Sequence, residues 1–82
     1  MADIKVLGAD YCPFCVRVKE YLETNQIYFQ WVDTETSPGH LEREKLSKKN
    51  NYSTIPMVFV NGEFVGGCNE FLTKVKKGEI KL

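Results

Sequence analysis

Cys12 and Cys15 stand three residues apart in the run Cys12-Pro13-Phe14-Cys15. Two thiols at this spacing can close a disulfide across one helical turn, or supply half of a four-ligand zinc site. Zinc needs two further ligands. Cys68 and His40 are the remaining thiol and imidazole, and neither shows paired spacing. A third reading is two structural cysteines that share a spacing by chance. The surroundings favour redox chemistry, because an apolar strand precedes the pair and Pro13 opens a helical pattern behind it. Cys12 would then occupy the helix N-cap. The first amides of a helix have no intrahelical acceptors, and the positive end of its dipole lies there, which favours a thiolate over a thiol. A thiolate attacks a disulfide sulfur. Cys15, one turn deeper beside an apolar stripe, stays a thiol and resolves the mixed disulfide.

Elements that could hold this pair follow in short order. Residues 3–8 alternate with an apolar bias and predict a strand. After Pro13, Phe14, Val18, Tyr21 and Leu22 fall on one helical face. That predicts a helix over 13–24, with Asn25 as its left-handed stop. Residues 27–33 are β-branched and aromatic and predict a second strand. Ser37-Pro38 reads as the cap and first turn of a helix over 38–50, whose apolar stripe is only Leu41 and Leu46. Residues 57–60 and 63–65 predict two strands joined by the Asn61-Gly62 hairpin turn. Gly66-Gly67 breaks the chain, and Asn69 caps a last helix with Phe71, Leu72 and Val75 inward.

The order β-α-β-α-β-β-α predicts an α/β fold. The first β-α-β unit calls for a right-handed crossover and a parallel strand pair, and the hairpin adds an antiparallel pair. A four-stranded mixed sheet with helices on both faces results: the thioredoxin-like three-layer layout without an extra N-terminal strand.

Bulk composition sets outer bounds. The 82 residues, 43% hydrophobic and 12% aromatic, predict one soluble domain over 1–82. A chain this short buries only about 60% of its unfolded surface, so its core must be efficient. Eleven acidic residues balance eleven basic ones, and nothing in that balance points to nucleic acid or an anionic membrane. No run approaches the ~18 apolar residues of a membrane span, and no signal peptide is read at the N-terminus. The expected compartment is the cytosol.

Three motifs together, Cys12-Pro13-Phe14-Cys15, Thr54-Ile55-Pro56 and Gly66-Gly67-Cys68-Asn69-Glu70, resemble the glutaredoxin pattern in order and spacing across essentially the whole chain. The resemblance implies glutathione as co-substrate with no metal. It implies a monomer that acts on disulfide-containing or glutathionylated proteins, ribonucleotide reductase among the family's substrates. It implies a cis-proline at Pro56, with the Ile55 backbone offered to the substrate as a strand partner. The amides of Cys68 and Asn69, reached past Gly67, would take the γ-glutamyl carboxylate. Asn69 replaces a commoner aspartate or serine, and Glu70 is the candidate to attract the ammonium instead.

Two family cations are missing, since Ala9 and Ser53 stand where lysine and arginine are common. Arg43 is the candidate replacement, with Lys48 second, and the glutathione site is expected to be weaker for it. Asp10 beside Cys12 would oppose a thiolate. Phe14, where tyrosine is commoner, shields one side of the site. Tyr11 either lines the site or packs ordinarily, and Cys68 is either a small buried hydrophobe or a third redox partner. His40 is expected in solvent. Two functional alternatives remain: a redoxin reduced directly by thioredoxin reductase, and a dimeric iron–sulfur carrier using Cys12 and glutathione. Pro13 and Cys15 argue against the carrier.

Overall fold

A computed structural model describes residues 3–82. The elements are β1 (Ile4–Gly8), α1 (Pro13–Thr24), β2 (Gln30–Asp33), α2 (Ser37–Asn50), β3 (Met57–Val60), β4 (Glu63–Gly66) and α3 (Cys68–Lys76). The sheet runs β2-β1-β3-β4, with β1 parallel to β2 and the other neighbours antiparallel. This is the mixed sheet and element order that the sequence predicts. Among the described residues no helix is long and apolar enough to cross a membrane.

Strand alternation builds two apolar layers on the one sheet. Val6 stands opposite Val58, and Ile4 opposite Val60. On that face Ile4, Val6 and Val58 pack with Val18 and Leu22 of α1 and with Cys68 and Phe71 of α3. Each such fully buried aliphatic or aromatic side chain contributes about 1.5–3 kcal/mol relative to exposure. The opposite face carries Leu7, Met57 and Phe59, covered by Leu46 of α2 together with Tyr52 and Phe64. Helices therefore cover both faces.

Several ends differ from the sequence reading. Asn25 does not turn left-handed (φ −90°); Gln26 does, at φ 56°. The Gln26 N–H reaches the Glu23 carbonyl at 3.0 Å, and the Ile27 N–H reaches Leu22 at 2.9 Å. That is a Schellman ending, and it seats Ile27 against the core that holds Leu22. Ile27 is committed to this turn, so β2 starts at Gln30 instead of residue 27. In α2 the cap is Thr36 and not Ser37: its Oγ accepts the Gly39 N–H at 3.1 Å. Leu41 is exposed, so of the expected stripe only Leu46 packs inward. An ion pair between Lys5 of β1 and Glu42 adds to the hold on α2. In α3 the cap is Gly67, and Asn69 lies inside the first turn. The hairpin is as expected, with Asn61 and Gly62 both at positive φ.

Candidate active site

The loop from β1 delivers Cys12 to the start of α1 in extended conformation (φ −94°, ψ 113°). Its N–H is held by the Ala9 carbonyl at 3.1 Å, and its carbonyl accepts from Val16 at 3.0 Å. No side chain caps this helix end, that of Cys12 included, so the first amides of α1 are left open beside Cys12. Cys15 is fully buried. Its approach depends on Gly8: a Cβ there would lie 2.9 Å from the Cys15 Sγ and 2.9 Å from the Trp31 ring. Burial, reinforced by a hydrogen bond to the Cys12 sulfur, pushes the Cys15 thiol up to about 12. Cys15 is thus a neutral thiol at neutral pH. All three cysteines are free thiols.

Across the gap lies the loop before β3. The Cys12 Sγ is 3.9 Å from the Ile55 carbonyl oxygen, and the Ile55–Pro56 bond is cis. This half-buried sulfur therefore faces a stretch of main chain. Beside it opens a groove of about 320 Å³. Phe14, Tyr52, Thr54, Ile55 and Pro56 line it together with Gly67, Cys68, Asn69 and Glu70 at the start of α3. At the far side the first turn of α3 offers amide hydrogens without intrahelical acceptors, which suits an anion. Gly67 admits the close approach of the two sides: a Cβ there would stand 2.5 Å from the Tyr52 hydroxyl and 3.5 Å from the Pro56 carbonyl.

The glutaredoxin family's sequence pattern matches residues 4–65. Glutaredoxin-C6 of Oryza sativa subsp. japonica is 34% identical over 80 residues, covering 96% of this chain and 71% of the relative. The chain belongs to the glutaredoxin family. Glutaredoxin 3 of Escherichia coli K12 is 26% identical over 78 residues, covering 95% of this chain and 92% of its own. A crystal structure of a buckwheat glutaredoxin–glutathione complex superposes with a TM-score of 0.85 at 26% identity, over 95% of this chain and 72% of that one. Family and fold together make this protein a thiol–disulfide oxidoreductase of the thioredoxin-like architecture.

Of the remaining residues singled out from the sequence, Cys68 lines the groove, whereas Tyr11, His40 and Arg43 do not. Arg43 reaches from α2 to donate to the Ser53 carbonyl at 3.3 Å, which puts a cation at the edge of the Thr54–Pro56 loop. Tyr11 is 68% exposed, so it is not a packing residue; its hydroxyl donates to Glu35 at 3.2 Å. That hydrogen bond to a carboxylate raises the Tyr11 phenol, with the Glu35 charge acting the same way. Cys68 is nearly fully buried within the first core layer, and burial pushes its thiol up. That environment fits the small-hydrophobe reading. His40 is exposed and lies 3.1 Å from Glu44 one turn on.

Two features escape the sequence. Asp10 sits 3.6 Å from Lys19, which also lies 4.8 Å over the Trp31 ring, so the carboxylate beside Cys12 has a cation of its own. Nothing in a nine-residue separation signals that pairing. Glu70 also does not stand free, because its Oε1 accepts the Gly67 N–H at 2.7 Å. A glutamate at the third position of a helix is a known capping signal, and could have been read as one.

Proposed function

We propose that this glutaredoxin uses Cys12 as the nucleophile on glutathione mixed disulfides and protein disulfides, with glutathione as its electron donor. One observation carries the reading: the Cys12 sulfur stands at an uncapped helix start, 3.9 Å from the Ile55 carbonyl, at the mouth of a groove that ends on the first amides of α3. Glutathione suits that groove. Its cysteinyl main chain would run beside Ile55, and its γ-glutamyl carboxylate would meet the amides of Cys68 and Asn69. The buckwheat relative's complex with glutathione supports the choice of ligand.

In the exchange, the Cys12 thiolate attacks the glutathione sulfur of a mixed disulfide. A bond forms between Cys12 and glutathione, and the protein thiolate leaves. A second glutathione thiolate then attacks that bond, releasing glutathione disulfide and restoring Cys12. With a protein disulfide, Cys12 attacks one sulfur and the other leaves as a thiolate; Cys15 then gives up its proton and attacks the Cys12 sulfur, so the Cys12–protein bond breaks, the Cys12–Cys15 disulfide closes and the reduced protein leaves. Two glutathiones reopen it. A dithiol kept reduced by glutathione works in a reducing compartment, and the cytosol is our assignment.

The test supplies each donor separately. With glutathione, glutathione reductase and NADPH, turnover of a glutathione mixed disulfide is expected. Turnover supported by thioredoxin reductase alone would overturn the donor. Arg43 is the cation offered to the glycine carboxylate. Arg43→Gln is expected to raise KM for a glutathionylated peptide about three- to tenfold, an effect that shrinks as salt screens the charge. Steady-state kinetics at two ionic strengths measures both parts.

A further inference from the structure

Tyr52 belongs to no motif in the sequence, yet it ties the two sides of the groove together. Its hydroxyl donates to Glu70 Oε1 at 3.2 Å, the same oxygen that accepts the Gly67 N–H at 2.7 Å. The Tyr52 ring is fixed from behind by an edge-on contact with Phe64, centroids 5.0 Å apart. Its main chain is fixed to the end of α2: the Tyr52 N–H donates to the Ser47 carbonyl at 3.0 Å, and the Ser47 hydroxyl donates back to the Tyr52 carbonyl. Two residues further on comes Thr54, on the Cys12-facing loop. One short chain of contacts therefore runs from α2, through Tyr52, to the carboxylate that caps α3.

We propose that Tyr52 and Glu70 are positioning residues, a strap that holds the first turn of α3 at a set distance from the Thr54–Pro56 loop and so fixes the width of the groove for glutathione. The inference rests on glutathione being the groove's ligand. Neither side chain touches a reacting sulfur. Their part is to keep the Cys68 and Asn69 amides where the γ-glutamyl carboxylate arrives, with Glu70 Oε1 engaged by two donors at the cap. Gly67 fits the same scheme, because a Cβ there would stand 2.5 Å from the Tyr52 hydroxyl.

Tyr52→Phe removes the hydroxyl and keeps the ring on Phe64. Its KM for a glutathionylated peptide is expected to rise about three- to tenfold, the range for one lost hydrogen bond, with kcat changed by less than about twofold. Glu70→Ala is expected to raise KM at least as much. The double variant should be no worse than Glu70→Ala alone, since both remove one strap. Glu70→Gln retains an acceptor oxygen and is expected to keep KM within about twofold of the parent. Thermal melts run alongside. An unchanged KM for Tyr52→Phe, with or without a lower Tm, would overturn the inference, as would additive losses in the double variant. A parent chain with no glutathione-dependent turnover would overturn the reading of the groove, and the strap's role with it. Parent turnover with an unmoved Tyr52→Phe KM would overturn the strap alone.

Discussion

Cys12→Ser is expected to abolish reduction of a glutathione mixed disulfide, by on the order of 10³-fold or more, because a serine hydroxyl is a weak nucleophile without an adjacent base. Cys15→Ser is expected to keep much of that activity and to lose reduction of protein disulfides. The asymmetry follows from where the two sulfurs sit. Cys12 is half-buried at the helix start and faces the Ile55 carbonyl. Cys15 is fully buried behind it, and its thiol is held neutral by that burial. A glutathione mixed disulfide on Cys12 can be opened by a second glutathione from solvent, so Cys15 is not needed. A bulky protein mixed disulfide hinders that approach and needs the thiol one turn away. Coupled assays on both variants with both substrate classes measure the pattern. Equal losses in the two variants on the glutathione substrate would reject the route through Cys12 alone.

The largest effect on stability is expected from Phe71→Ala, a loss of about 3–5 kcal/mol. Phe71 is the largest fully buried side chain in the molecule's described part. It meets Tyr21 of α1 edge-on, ring centroids 6.4 Å apart, and sits in the layer with Val18, Leu22 and Val58. A domain of this size has roughly 4–12 kcal/mol of total stability, so one cavity would consume a large share of it. The corresponding fall in Tm is on the order of 15–30 °C. Because α3 also carries the amides at the end of the groove, the surviving folded fraction should show weaker glutathione binding. Denaturant melts of Phe71→Ala and Phe71→Leu separate the two, since leucine refills most of the space. A loss below about 1 kcal/mol in the alanine variant would mean that α3 is not anchored through this ring.

Local chemistry made much of this fold legible. Pro13 and the 3.6-residue spacing of Val18 and Leu22 give the limits of α1 correctly, because a proline at the first turn leaves little freedom. Asn61-Gly62 gives the hairpin for a similar reason: few residue pairs accept two successive positive φ values. The structure departs from the sequence where a turn or a packing partner outside the element decides its ends. Residues 27–29 have strand composition, but the Schellman turn after α1 uses Ile27 first. Leu41 and Leu46 lie five residues apart, about 140° around a helix, so both cannot face the sheet; α2 settles there through Leu46 and the Lys5–Glu42 pair. The site divides in the same way. Cys12 and Cys15 announce themselves by spacing, and the Thr54-Ile55-Pro56 run by its resemblance to the family pattern. Tyr52 and Glu70 are 18 residues apart and meet only after the sheet has formed. Glu70, the sequence's candidate for the ligand ammonium, also has its Oε1 engaged at the cap of α3.

The most direct test asks which sulfur takes up glutathione. Cys15→Ser is incubated with one equivalent of glutathione disulfide, quenched with acid, digested and mapped by mass spectrometry. The expected product is a single glutathione on the peptide carrying Cys12, with Cys68 unmodified. Glutathione found mainly on Cys68, or spread evenly over both thiols, would contradict the assignment of Cys12 as the attacking sulfur.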